Sequence, residues 1–249
     1  MEKFNTDGIV IKTSVTGESD LIVFVLTRTR GIIRAFAKGA RGMKNKLHAG
    51  SSLFAYCDFT VTEKNEVYHI NEAAVKDIFF GLRGDIARLT LAQYFCEVLL
   101  KTLPDGEADE EYLNLTLRSL YYLSGETKPI LQIKAVFELR MAAVSGYAPP
   151  VHACADCGAF QTDMMFFNCL TGELFCDKCG KHAEAPAVPF SVIAAMRHIL
   201  FSSPDKVFSF RLSEELLRPL TRLTEKYLQN CMQQHFRLAE MFWTATNET

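Results

Sequence analysis

The sequence predicts an α+β chain of more than one domain: a small five-stranded barrel, then a helical domain carrying an inserted four-cysteine module. Three observations carry this reading. Up to about residue 80, short β-branched and aromatic segments alternate with turn residues. After Gly81 the hydrophobic period changes from two to about 3.6. Two Cys-x-x-Cys pairs, Cys154 with Cys157 and Cys176 with Cys179, then interrupt the helical part.

Strands are expected over residues 8–16, 19–27, 31–38, 53–63 and 67–79, with turns at Thr16-Gly17-Glu18, at 28–30 and at Lys64-Asn65. In the second strand Leu21, Val23 and Val25 alternate with Ile22 and Phe24. Both faces are therefore apolar, which favours a closed barrel or sandwich over an open sheet. Five strands in about 75 residues suit a small barrel. The segment 39–47 between strands three and four is glycine-containing and basic and lacks hydrophobic periodicity, so it reads as a flexible cationic loop.

In the helical part, Asp85 caps a helix running to Leu103, with Ile86, Leu89, Gln93, Cys96 and Leu100 along one side and Pro104 at its end. The linker 104–111 contains Asp105, Glu107, Asp109, Glu110 and Glu111; the last three favour the start of a second helix, which Gly125 ends. Pro129 opens a third helix through Ile133, Phe137, Leu139 and Val144 to Gly146. Helical patterns resume over 191–203 and 213–242, the latter kinked or restarted at Pro219. The expected domains are 1–80, a helical domain of 81–150 with 185–249, and a cysteine module over 151–184.

Composition excludes several classes. With 249 residues, 49% hydrophobic and 22% charged, the chain is neither disordered nor fibrous. No run approaches the ~18 apolar residues of a spanning helix, and the first seven residues lack a signal-peptide core, so a cytoplasmic protein is expected. Eight cysteines are too few for a secreted disulfide scaffold, and five of them fall between Cys154 and Cys179, which points to metal.

The two knuckles are separated by 18 residues, a zinc-site spacing. Gly158 and Gly180, one place past each second cysteine, give the backbone the freedom such turns need. Four thiolates complete a tetrahedral ion and leave no position for water, so Cys154, Cys157, Cys176 and Cys179 are read as ligands of one structural Zn2+. Cys169 is a packed residue or a substitute for one of the four, and His152 and His182 are weaker competitors. A zinc deaminase is ruled out because Phe175 precedes Cys176 where proline belongs. Nucleophile elbow, P-loop, dinucleotide fingerprint and HExxH motifs are all missing, and no catalytic residue is proposed.

The formal net charge of −2 conceals a local asymmetry. From Leu21 to Cys57 there is no acidic residue, while Arg28, Arg30, Arg34, Lys38, Arg41, Lys44 and Lys46 supply seven cations. A charge run is ordinarily a solvated face. This one is uniform in sign and interleaved with Phe36 and the nearby Phe54 and Tyr56, a combination that holds phosphates and stacks bases. Arg34, Lys38, Arg41, Lys44 and Lys46 are the nucleic-acid candidates. On the late helix Arg218, Arg222 and Lys226 share a face beside Leu216, Leu220, Leu223 and Tyr227. This is an amphipathic helix with a solvated polar face, or a cationic rim beside a groove for an acidic peptide.

Several segments together resemble the bacterial RecO family of recombination mediators. They are Gly8-Ile-Val-Ile-Lys12, Glu18-Ser-Asp-Leu21, Lys38-Gly-Ala-Arg41, Phe137-Glu-Leu-Arg140 with Gly146-Tyr147 and Pro149, and Cys154-x-x-Cys157-Gly158 … Phe166 … Gly172 … Cys176-x-x-Cys179. Glu173 departs from a pattern with a second glycine after Gly172, and Met43 and Asn45 dilute the charge of the loop. The resemblance implies an N-terminal OB-fold, a helical C-terminal domain and a zinc module between its halves. It further implies binding of single- and double-stranded DNA, strand annealing, and work with RecR to load RecA where single-strand DNA-binding protein coats the strand. The acidic tail of that coating protein would dock on the helical domain; no membrane and no small-molecule substrate are implied. The rival readings are a protein adaptor whose basic loop meets an acidic partner, and a zinc-dependent nucleic-acid hydrolase.

Overall fold

The computed structural model describes residues 2–103, 106, 109–180 and 185–247. Pro104, Asp105, Glu107 and His182 lie outside the described residues. The chain divides into two compact units, Met1–Ser124 with Glu240–Thr249, and Gly125–Ala239.

In the first unit, strands β1 (Glu2–Thr16), β2 (Asp20–Thr27), β3 (Gly31–Ala37), β4 (Tyr56–Lys64) and β5 (Val67–Asp77) close into a barrel in the order β1-β2-β3-β5-β4. Closure depends on the length of β1. Its first half pairs with β4, from Glu2↔Glu63 to Ile9↔Tyr56, and its second half pairs with β2, from Gly8↔Thr27 to Thr16↔Asp20. A short parallel contact, Ala35↔Tyr68 and Phe36↔His69, joins β3 to β5. This is the five-stranded barrel of the OB-fold. The first strand starts at Glu2 rather than at residue 8, because the polar stretch before Gly8 is ordered by pairing with β4 and not by apolar alternation.

Val10, Val23, Val25, Ile33, Phe59 and Val61 fill the barrel. The two apolar faces of β2 have different fates. Val23 and Val25 point into the core, while Ile22 and Phe24 lie half-exposed on the outside.

Helix α1 (Ile86–Thr102) begins as expected, with Asp85 accepting the Arg88 N–H at 2.9 Å. Of the expected stripe only Cys96 is buried. Ile86 is 72% exposed, and Ala87, Leu91, Tyr94, Phe95, Val98 and Leu99 are buried. The helix is apolar over most of its circumference, so counting from Ile86 selects the wrong stripe. Helix α2 (Glu110–Ser124) carries Glu110 and Glu111 in its first turn.

The second unit holds α3 (Ile130–Val144), α4 (Phe190–Phe201) and α5 (Glu214–Met232); α6 (Arg237–Asn247) follows. The last long helix does not restart at Pro219 but runs through it. Pro219 lies in the second turn of α5, where it costs a single intrahelical hydrogen bond, and the break comes at Gln233, a left-handed C-cap with φ 52°.

Helices α3 and α5 share a buried ionic cluster. The Lys134 ammonium donates to Glu138 and, at 2.5 Å, to Glu225; Thr224 Oγ1 donates to Glu138 Oε2 at 2.7 Å. Burial pushes the Glu138 carboxyl up to about 7, against the pull of Lys134. Between the ordinary carboxylate range and about pH 7, the folded state keeps a proton that the unfolded state releases, so this group's contribution to stability falls as pH rises. The Glu138→Gln variant should lack that slope. Its thermal stability relative to wild type should improve from about pH 5 to about pH 7, by at most about 1.4 kcal/mol per pH unit. A difference that does not change with pH would refute the assignment.

Candidate nucleic-acid interface and metal centre

The segment between β3 and β4 is a pinned ladder of turns, not a flexible loop. Asp20 Oδ1 accepts the Gly39 N–H at 2.7 Å, the Arg41 N–H donates to Ser19 O at 3.0 Å, and the Arg41 guanidinium donates to Glu18 O at 2.6 Å. Gly42 N–H to Gly39 O, Asn45 N–H to Gly42 O and His48 N–H to Asn45 O continue the chain of turns. Ala40 and Leu47 anchor both ends in the barrel core. Gly39 has φ +68°, and a Cβ there would lie 2.5 Å from Asn45 Nδ2, so glycine is required. The Gly39 N–H, helped by the Ser19 hydroxyl, holds the Asp20 carboxyl below its ordinary range.

The seven cations of this region divide into two groups. Arg28 is tied to Asp7 at 2.8 Å and Glu110 at 3.2 Å, and Arg30 to Glu2 and Glu63 at 2.8 Å each. The Arg28 guanidinium holds the Asp7 carboxyl at about 2. Arg34, Lys38, Arg41, Lys44 and Lys46 are exposed. Lys46 lies 3.7 Å from Glu72, a solvated pair of little energetic weight.

Two of the expected stacking aromatics are engaged elsewhere. Phe54 is buried, and the Tyr56 hydroxyl donates to Asp7 at 2.7 Å. Phe36 does lie on the outer face, stacked on His69 with ring centroids 5.6 Å apart at 26°. Cross-strand register builds two rows there. Lys12, Phe24 and Arg34 form one across β1, β2 and β3; Ser14, Ile22, Phe36 and His69 form the next, extending to β5. The Lys12 ammonium sits 5.2 Å from the Phe24 ring centroid. Phe24, Arg34, Phe36 and Tyr68 border an open cleft of about 660 Å³. Lys12, Phe24, Tyr68 and His69 were not singled out from the sequence. Lys12 reaches this face through a bulge between Val10 and Lys12, for which the sequence carries no signal.

In the second unit the four cysteine sulfurs lie within 4.8 Å of one another, with Cys157 and Cys176 at 3.7 Å. Four thiolates around a metal at about 2.3 Å separate neighbouring sulfurs by about 3.8 Å, so the donor set fits a tetrahedral ion; a disulfide would need about 2.05 Å. Three short strands, β6 (Met164–Phe167), β7 (Leu174–Cys176) and β8 (Ala187–Pro189), in the order β7-β6-β8, support the site. The first knuckle closes with Gly158 N–H to Cys154 O and is tied to β7 by Ala155 N–H to Leu174 O at 2.8 Å. Gly158 has the expected positive φ of 73°, whereas Gly180 is needed for a different reason: a Cβ there would lie 2.3 Å from the Phe166 ring.

Burial pushes the Cys154 thiol up, but the N–H groups of Cys157, Cys176 and Asp156 outweigh it and hold the thiol at about 6. The Cys176 and Cys157 side chains push Cys179 up. Without a cation, the four sulfurs cannot all carry charge.

Cys169 lies in the turn between β6 and β7, not in a strand, and outside the cluster. Its sulfur faces Leu223 O at 4.0 Å, and its carbonyl accepts from Asn230 Nδ2 at 2.9 Å. His152 stacks on Phe201 with centroids 4.4 Å apart. Arg197 of α4, which went unnoticed in the sequence, latches onto the module. Its guanidinium donates to Val151 O at 2.7 Å and Phe160 O at 2.8 Å and covers the Phe160 ring at 4.0 Å.

Arg218, Arg222 and Lys226 lie exposed on one face of α5 as expected. The adjacent apolar stripe is not an open groove: Leu220, Leu223 and Tyr227 are buried. Thr221 Oγ1 to Leu131 O at 3.0 Å and Tyr227 Oη to Tyr147 O at 2.8 Å fasten that side of the helix within its own unit.

Residues 1–79 match the family model described as Recombination protein O N terminal, and residues 83–238 match Recombination protein O C terminal. The DNA repair protein RecO of Acetivibrio thermocellus is 33% identical over 237 residues, covering 95% of this chain and 94% of that protein. That of Alkaliphilus metalliredigens is 28% identical over 224 residues, covering 90% and 91%, and that of Symbiobacterium thermophilum 28% over 232 residues, covering 92% of each. The boundary between the two matches falls just after β5 (Val67–Asp77), where the barrel ends. With both halves matched and the barrel, helices and four-cysteine cluster in place, the chain belongs to the recombination protein O family.

Proposed function

We propose that this chain is a non-enzymatic mediator of DNA recombination and repair that binds DNA through the outer face of its barrel. The observation that carries the reading is the pinned cationic loop together with the outer rows of Lys12, Phe24 and Arg34 and of Phe36 and His69. Cations at fixed positions neutralise phosphates, and exposed rings accept bases of any identity. Binding is therefore salt-dependent and largely indifferent to sequence. With the phosphate charge reduced, two complementary strands approach more readily and anneal.

In the same reading the protein works with RecR to help RecA displace single-strand DNA-binding protein. The acidic tail of that coating protein is held by Arg218, Arg222 and Lys226 through charge rather than through an apolar groove. Such work takes place in the cytoplasm, at the nucleoid. Cys154, Cys157, Cys176 and Cys179 hold one structural Zn2+, which leaves no coordination position for water and so no hydrolytic role.

Replacing Lys38, Arg41, Lys44 and Lys46 together by alanine should weaken single-stranded DNA binding and reduce the slope of log K against log salt by up to about 3. Thermal stability should change little, by no more than the loss of the Arg41 contact with the Glu18 carbonyl; unchanged affinity at low salt would refute the assignment. Asp20→Ala removes no cation but frees the loop, and should lower affinity without altering that slope. If it binds as tightly as wild type, pinning is irrelevant to binding. Metal analysis of the purified protein should find about one zinc per chain, and Cys176→Ser should destabilise the second unit, because metal binding and folding are coupled. Isolation of a fully folded, metal-free protein would overturn the zinc reading.

A further inference from the structure

Met43 is 88% exposed. It and Lys44 are the two corner residues of the turn closed by the Asn45 N–H on Gly42 O at 2.9 Å, with exposed Arg41 and Lys46 on either side. A long apolar side chain held in water between cations gains nothing from the fold: it packs on no core, whereas Ala40 and Leu47 of the same segment are buried. The backbone that carries it is fixed at several points, by Asp20 on Gly39, by Asn45 Nδ2 on the Lys38 carbonyl at 3.3 Å, and by the His48 ring on the Ala40 carbonyl at 2.9 Å. Met43 is thus an apolar projection on a rigid mount, surrounded by groups suited to phosphates.

We infer that Met43 is a wedge that enters between adjacent stacked bases when the surrounding cations settle on the phosphates. The ligand class is a nucleic-acid base step, and the inference rests on the DNA-binding reading above. Side chains of this kind part base steps where neighbouring cations hold the backbone, and the cost of unstacking is offset by those phosphate contacts. An unbranched thioether adapts to any pair of bases, so the wedge adds no sequence preference. A lysine at this position would stop at the phosphates.

The test uses the full-length protein and an oligonucleotide carrying 2-aminopurine, whose fluorescence rises when it is unstacked. Wild type should raise the signal on binding. Met43→Ala should abolish the rise while leaving the salt slope intact and weakening affinity by no more than about tenfold; Met43→Leu should restore the rise. The variant lacking Lys38, Arg41, Lys44 and Lys46 should instead lose slope and affinity together. A Met43→Ala protein that still produces the full rise overturns the wedge and leaves the phosphate contacts standing. A wild-type protein with no salt-dependent affinity for the oligonucleotide overturns the DNA-binding reading and the wedge with it.

Discussion

Asp20 stands at the start of β2, and its acceptance of the Gly39 N–H at 2.7 Å ties the β1–β2 turn to the segment that follows β3. Much of the candidate interface depends on that restraint. It joins the Glu18-Ser-Asp-Leu21 and Lys38-Gly-Ala-Arg41 segments in space, with the Arg41 guanidinium on the Glu18 carbonyl as a second tie. A loop of like charges repels itself and spreads unless its backbone is held. Here backbone hydrogen bonds and two buried apolar side chains hold it, so the cations need no acidic partners of their own. The loop backbone is then ordered before any ligand arrives, which lowers the entropic cost of binding.

The same logic separates the cations that build the barrel from those left for a ligand. Arg28 and Arg30 are consumed by carboxylates on β1 and β4 and at the start of α2 (Glu110–Ser124), and Asp7 is held ionised at about 2 as a result. Below that range Asp7 takes up a proton and its contribution to stability is lost; above the ordinary carboxylate range it is fully present. Of the candidate binding cations, Arg41 also ties the loop to the Glu18 carbonyl, whereas Arg34, Lys38 and Lys44 have no such role. Removal of those three is therefore the cleaner probe of function, whereas removal of Arg28 would confound function with folding.

In the second unit the four-cysteine cluster fits a metal ion, and a bound ion would do what the short sheet alone cannot. The module's three strands are three or four residues each, too short to be stable alone, and its sulfurs crowd together in a way that only a cation relieves. Arg197 of α4 then fastens the module to its own unit, and the close fit of Gly180 under Phe166 packs the second knuckle within it.

Features governed by local chemistry were legible in the sequence, and those governed by register were not. The knuckles, the Asp85 cap and the five strands follow from spacing, capping and β-branched runs. Arg34 and Lys38 stand out as candidates because a run without acids is visible in one dimension. Lys12 does not stand out because a bulge between Val10 and Lys12 decides which way it points, and Phe54 is overrated because proximity in sequence to cations says nothing about burial. The pairing of Arg28 with Asp7 spans 21 residues and that of Arg30 with Glu63 spans 33, distances at which only the closed barrel brings the partners together. Pro219 misled for the opposite reason: a local rule was applied where the helix had only one hydrogen bond to lose, and the real stop, Gln233, is a left-handed residue with no glycine to announce it. The outer face of β2 shows most directly how a right conclusion can rest on an incomplete reason. Ile22 and Phe24 pointed to a closed barrel as if both faces were buried, yet from β2 the barrel core takes Val23 and Val25, with Leu21 packed against it. The half-exposed pair is surface left on the outside of the barrel.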